Sequence, residues 1–262
     1  MTDINLRENF LKQHKFISIF LCYPIKTLIR FQQKHGTLLQ DSLKLIYKEG
    51  GLKRFYSGFF YRYISKSAEF IVLLEALNSW SNITQNNVNP INLLLSFVMA
   101  ATIQQTFVPF NSLYYFQQVY GHTDGKELLF YKVKQNGGLV FYHGFWSFLC
   151  GSFFGGLGAF PALQNYQNYN TQEENKKSEY SMFYLFSAFL TAEVISNPFK
   201  ILAIQKLTSI ECKSYAQIQH QLMQEQGYQW IFRSVDTKLL YSFLKTLFIV
   251  YVFDYKKLSR EL

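Results

Sequence analysis

Cysteine is scarce in this chain. Cys22, Cys150 and Cys212 are odd in number and far apart, which excludes a disulfide framework and leaves no paired thiols for zinc. Each reads as a small packing residue. The five histidines, His14, His35, His122, His143 and His220, fall at helix ends or in surface segments. They lack the close spacing of a metal pair and form no Ser-His-Asp or Cys-His arrangement, so no metal ligand, no cofactor and no catalytic residue is expected. Absent too is a basic leader followed by an apolar core. Met1 to His14 is polar and of mixed charge, and no cleavable signal is expected there. Charged residues make up only 16% of the chain, and they are unbalanced, with a net charge of +9. The cations are scattered among apolar runs rather than gathered with a nucleic-acid motif, which sets nucleic acid aside and favours basic loops beside anionic lipid.

The abundant features are apolar. Hydrophobic residues reach 49% and aromatic residues 19%, a balance with which a soluble protein would struggle to cover its surface. Three times an apolar stretch carries a proline, Pro24, Pro109 and Pro198, and about 35 residues later an aromatic turn closes on a small residue. The first unit reads Tyr23-Pro24-Ile25-Lys26, then Glu49-Gly50-Gly51 and Phe55-Tyr56-Ser57-Gly58. In the second, Val108-Pro109-Phe110-Asn111 is followed by Asn136-Gly137-Gly138 and Phe141-Tyr142-His143-Gly144; in the third, Asn197-Pro198-Phe199-Lys200 by Glu225-Gln226-Gly227 and Ile231-Phe232-Arg233-Ser234. One structural unit is therefore expected three times in a single domain, over residues 1–85, 86–175 and 176–262.

Six stretches read as spanning or nearly spanning helices: Phe10 to Lys34, Phe55 to Trp80, Ile91 to Val119, Tyr142 to Tyr169, Tyr180 to Leu207 and Val235 to Leu258. Proline in the first, third and fifth predicts a kink in each. Between the members of each pair lies an amphipathic segment suited to a membrane interface, Leu38 to Lys48, Asp124 to Gln135 and Ser214 to Gln226. The fold class is all-α and membrane-bound, each unit being helix, surface helix, helix. Gly151, Gly155, Gly156 and Gly158 lack the preceding strand and the Gly-Lys-Ser/Thr ending of a phosphate loop and read as helix packing.

Taken together, the prolines, turns and surface helices make the chain from Phe10 to Lys257 resemble the mitochondrial carrier family. That family carries P-x-D-x-x-K-x-R three times, followed by an acidic-Gly segment and an aromatic-basic-Gly ending. The resemblance implies the family fold in the mitochondrial inner membrane, with both termini toward the intermembrane space. It also implies matrix-side surface helices and anionic lipid such as cardiolipin at the turns of Gly50, Gly58, Gly137, Gly144 and Gly227.

The departures fall on residues to which the family assigns a mechanism. The acid slots of the matrix gate hold Lys26, Asn111 and Lys200, and the base slots hold Ile29, Tyr114 and Ala203, so none of the three ion pairs can form. Bringing Lys26 and Lys200 together would be costly, and closure on that side is expected to be disfavoured. On the opposite side only Asp254 and Lys257 keep the gate pattern, with Phe253 before them. An ordinary charged helix end reads them equally well. The cavity contact positions become Ser65, Gly151, with Ser152 beside it, and Tyr241, all uncharged. Arg62, Lys66, Lys238 and Lys245 lie within about a turn of them, which leaves a relocated anion site open beside the reading of lipid-facing side chains. Of the acids, Glu69, Glu75 and Glu193 are expected to be buried.

Two functional classes remain. The favoured one is a transport-degenerate accessory subunit, in contact with membrane lipids and with partner subunits of a respiratory-chain or ATP synthase complex. The other is a working divergent transporter of a small solute by alternating access.

Overall fold

The computed structural model describes residues 20–68, 99, 102–103, 108–172 and 179–261. The stretch containing Glu69, Glu75 and the linker before Ile91 lies outside them. Among the described residues the chain is all helical. Unit one contributes α1 (20–35), α2 (Leu39–Phe55) and α3 (59–68). Unit two contributes α4 (Val108–Tyr120), α5 (His122–Asn136), a 3-10 turn (Gly138–Tyr142) and α6 (Phe145–Gln172). Unit three contributes α7 (Glu179–Ile195), α8 (Asn197–Thr208), α9 (Tyr215–Gln226), a 3-10 turn (Gly227–Phe232) and α10 (Val235–Glu261). No helix among the described residues is long and apolar enough to cross a membrane. Polar residues recur along even the two longest, α6 and α10, and α10 carries charged ones as well.

Proline breaks the helix in the third unit only, among what is described. Pro198 stands in the first turn of α8, where its missing N–H goes unused, and Ser196 separates α7 from α8. By contrast α1 runs unbroken past Pro24; residues 104–107, before the described part of α4, lie outside the described residues. The surface helices arise as their periodicity predicts. Ser214 closes a capping box with Gln217 at the start of α9. Ile218 and Leu222 turn inward from α9 onto Ile201 and Trp230. In unit one Ile46 of α2 packs against Leu28, Phe31 and Phe55. Leu129 of α5 joins Phe116, Val119, Ile204 and Leu207. Each such side chain contributes about 1.5–3 kcal/mol on burial.

A polar side chain near each proline ties its unit shut. Thr27 Oγ1 donates to the Phe55 carbonyl at 2.7 Å, Ser112 Oγ to that of Phe141 at 3.0 Å, and Asn197 Nδ2 to that of Ile231 at 2.6 Å. The three acceptors occupy the same place in the repeat. Three residues further on come Gly58, Gly144 and Ser234, all left-handed at φ +81°, +93° and +64°. The turn is thus geometrically equivalent in all three units although only two kept glycine. A side chain at Gly58 would meet Tyr114 at 3.0 Å, and one at Gly144 would meet the Ala203 carbonyl oxygen at 2.8 Å.

Ser234 also buries a hydroxyl without a hydrogen-bond partner. Ser234→Gly removes both defects and is expected to stabilise the chain by about 1–2 kcal/mol. Gly144→Ala, which adds strain and a clash, should destabilise it by at least as much. Thermal unfolding of the two purified variants reads both signs; a lower midpoint for Ser234→Gly would refute the account. The glycines of α6 pack as expected, a methyl at Gly155 standing 2.9 Å from the Ala192 carbonyl oxygen of α7.

Candidate functional site

The three units close into a ring, and each contact is made by one unit on the next. Gly58 abuts Tyr114 and Gly144 abuts Ala203, so these two base-slot residues are packing residues at unit boundaries. Ile29, Tyr114 and Ala203 are all buried. The acid-slot residues meet the predicted cavity positions in the same cyclic order. Ser65 Oγ donates to Asn111 Oδ1 at 2.6 Å, Gly151 lies against Phe199 and Lys200, and the Lys26 ammonium stands 5.3 Å from the centre of the Tyr241 ring. Ser152 is half-buried on α6. Asp254 and Lys257 lie on α10, and their side chains are outside the described part.

Lys26 and Lys200 do not confront each other. Lys200 bonds Glu193 at 2.8 Å, and the same carboxylate oxygen takes Lys238 at 3.2 Å. Glu193 therefore joins α7, α8 and α10 through one acid and two bases. Arg62 donates to the Tyr114 hydroxyl at 2.7 Å with its guanidinium 4.8 Å over that ring. A cation therefore approaches the second base slot from the neighbouring unit.

The odd-helix ends are joined in this structure by uncharged groups. Gln205 Nε2 donates to the carbonyls of Gln33 and Lys34 at 3.2 and 2.7 Å, linking α8 to α1. Gln33 Nε2 reaches Asn197 Oδ1, and the Tyr120 hydroxyl donates to the Thr208 carbonyl at 2.9 Å. Amides, carbonyls and one phenol make these bonds, and no ion pair takes part in them.

A second tier of basic side chains seals the same end. Arg54 donates to the carbonyls of Gln117, Gln118 and Val119 at 3.1, 3.0 and 2.8 Å, capping α4. Lys132 donates to those of Lys206 and Leu207 at 3.1 and 2.8 Å, near the end of α8. Arg233 reaches those of Gln33 and Lys34 at 3.4 and 3.5 Å, at the end of α1. Unit one caps two, two caps three and three caps one. Each carbonyl set is the negative end of a helix dipole, to which a cation is attracted. Burial pulls the Lys132 ammonium down to about 8, and the charges of Lys34 and Lys206 act in the same direction. Burial likewise lowers Arg233 from its ordinary value, while Glu225 opposes the shift.

Sequence reading missed these caps because they do not share one repeat position. Arg54 lies four residues before its closing glycine, Lys132 sits on a surface helix, and Arg233 stands directly before Ser234. The polar residues three places after Pro24 and Pro109, Thr27 and Ser112, were a visible signal for the intra-unit ties. Among the described residues no group of three or more His, Cys, Asp or Glu side chains is placed to hold a metal ion. No protein-family model matches the chain, and no curated protein matches it.

Proposed function

We propose that this chain is a mitochondrial-carrier-like protein of the inner membrane that has lost alternating access and serves as an accessory subunit of a large assembly, a respiratory-chain complex or ATP synthase. The observation that carries this reading is the construction of the closed end. Alternation needs a closure that can be exchanged for another of similar energy. Here the helix ends are held by Arg54, Lys132 and Arg233 on buried carbonyls, together with the Gln205 and Tyr120 bonds. Opening that end would strand several backbone acceptors and buried cations at once.

The membrane setting rests on the outward apolar side chains. Leu52, Leu139 and Tyr228 stand six, five and six residues before Gly58, Gly144 and Ser234 and are 73%, 78% and 75% exposed, and Phe60 and Trp146 follow them on the next helices. Lipid and partner subunits are the surroundings that cover such a surface, with anionic lipid at the turns and the surface helices toward the matrix. Native electrophoresis after mild solubilisation of mitochondria is the test. Comigration with a large complex in fixed ratio is expected, and a predominantly free monomer would sink the proposal.

A second reading, a divergent solute transporter, is favoured by the interior cations around Lys26 and Lys245. Liposomes holding the purified protein would then accumulate or exchange a solute, which the accessory-subunit reading does not require.

A further inference from the structure

The three end caps are alike in geometry and unlike in chemistry. Arg54 and Arg233 carry guanidinium groups, which keep their charge at any pH that a folded protein survives. Lys132, which seals the second unit onto the third, is the one cap of the three that can give up its proton. Its side chain is wholly buried at the end of α8. There it meets basic side chains of both other units. Lys34 of α1 donates to Gln205 Oε1 at 3.2 Å, and Lys206 of α8, whose carbonyl takes Lys132 at 3.1 Å, itself donates to the Lys213 carbonyl. Three lysines, one from each unit, thus meet at residues 205–207, and among the described residues no carboxylate makes an ion pair with any of them. Of the acids that follow α8, Glu211 faces Lys213 at 3.0 Å and Glu225 faces Arg233 at 3.7 Å. The other titratable groups around Lys132 are His143, whose Nδ1 is buried without a hydrogen-bond partner, and the Cys212 thiol.

Donor and acceptor numbers decide which form the buried nitrogen prefers. An ammonium carries three N–H groups, and the carbonyls of Lys206 and Leu207, at 3.1 and 2.8 Å, take two of them. A neutral amine carries two, serves both carbonyls and adds no charge beside Lys34 and Lys206. The α8 dipole draws a cation to this end, but those two lysines already supply cations there. Burial and their two charges together hold the Lys132 ammonium down at about 8. We propose that the junction of the second and third units is a pH-responsive seal, in which Lys132 closes the end of α8 more firmly as the surrounding medium turns alkaline, while the junctions held by Arg54 and Arg233 do not respond. In an unfolded chain lysine keeps its proton to about pH 10.4. Above about pH 8 the unfolded chain therefore holds the extra proton, and stability rises with pH; below it both states are charged and Lys132 adds no slope. The seal belongs to the ring itself and does not rest on the accessory-subunit reading.

Thermal unfolding of the purified full chain in detergent at pH 7 and pH 9, at fixed ionic strength, tests the seal. Over that interval the folding constant of the wild type should rise about tenfold more than that of Lys132→Met, which has no proton to lose. Lys132→Arg, which keeps the cation but cannot release a proton, should lack the response as well. Exposed Lys134 on the same helix is the control, and Lys134→Met should respond as the wild type does. A second measurement needs no variant. Amide exchange at the end of α8, corrected for the pH dependence of the exchange chemistry itself, should slow from pH 7 to pH 9 relative to the ends of α1 and α4. The same rise in the wild type and in Lys132→Met would overturn the proposal, as would exchange that changes equally at all three ends. A wild type that loses stability relative to Lys132→Met on going to pH 9 would show that the site needs the ammonium, and would overturn it too. If neither Lys132 variant folds, the exchange measurement decides. None of these outcomes alters the electrophoretic test of complex membership.

Discussion

Arg54→Met should lower stability by about 3–5 kcal/mol, the largest loss expected from any cap of the ring. The side chain is 4% exposed and serves four acceptors at once, the carbonyls of Gln117, Gln118 and Val119 and the Glu49 carboxylate at 2.8 Å. Methionine fills similar volume but leaves three buried oxygens at the negative end of α4 without a donor. Lysine at this position should recover part of the loss, since one ammonium cannot cover the span that the planar guanidinium bridges. Lys53, its exposed neighbour, is the control: Lys53→Met should change stability by less than about 0.5 kcal/mol. Thermal or denaturant unfolding of the three variants measures the effect. Equal midpoints for Arg54→Met and Lys53→Met would show that the α4 carbonyls find other donors and that the cap holds nothing.

Glu193→Gln is the second large effect, at about 3 kcal/mol of destabilisation. The substitution leaves Lys200 and Lys238 facing one another with no charge between them, and Lys238 is only 1% exposed. The Glu193 side chain is about a quarter exposed, so solvent reduces the penalty relative to a fully buried pair. Removing one base as well should restore much of the loss. The double variant Glu193→Gln, Lys238→Met is expected to recover more than half, because the uncompensated charge rather than the lost bond dominates. A coupling energy below about 0.5 kcal/mol in that cycle would mean that the triad is incidental. The charged core would then owe its arrangement to packing alone.

Much of the helical architecture is legible from local pattern. Ile46, Ile218 and Leu222 recur at helical spacing and are buried as their helices require. The closing turns are equally readable, since Gly58 and Gly144 mark left-handed positions that side chains resist, and Ser234 is recognised as their counterpart by register. The interior is harder to read. Ile29, Tyr114 and Ala203 appear in the sequence only as lost gate residues, whereas Tyr114 and Ala203 pack against the closing glycine of the neighbouring unit. Glu193 is expected to be buried, but nothing in its surroundings along the chain indicates that it would hold Lys200, seven residues on, and Lys238, forty-five residues on, by a single oxygen. The charge pattern after the prolines says nothing of the uncharged bonds that Gln33 and Gln205 make between the odd-helix ends.

By itself the sequence determines the period of the repeat, the helices and their inward faces, and the positions where only a left-handed residue can close each unit. These are consequences of spacing and backbone sterics, which act over a few residues. Tertiary structure alone decides how the units engage one another. A hydrogen bond or ion pair depends on distances of a few ångströms between residues far apart in sequence, and the three units meet that need with different side chains. Arg54, Lys132 and Arg233 hold three equivalent helix ends from three unequal places, and Lys26 meets Tyr241 of another unit. Their shared geometry exists only once the ring has closed.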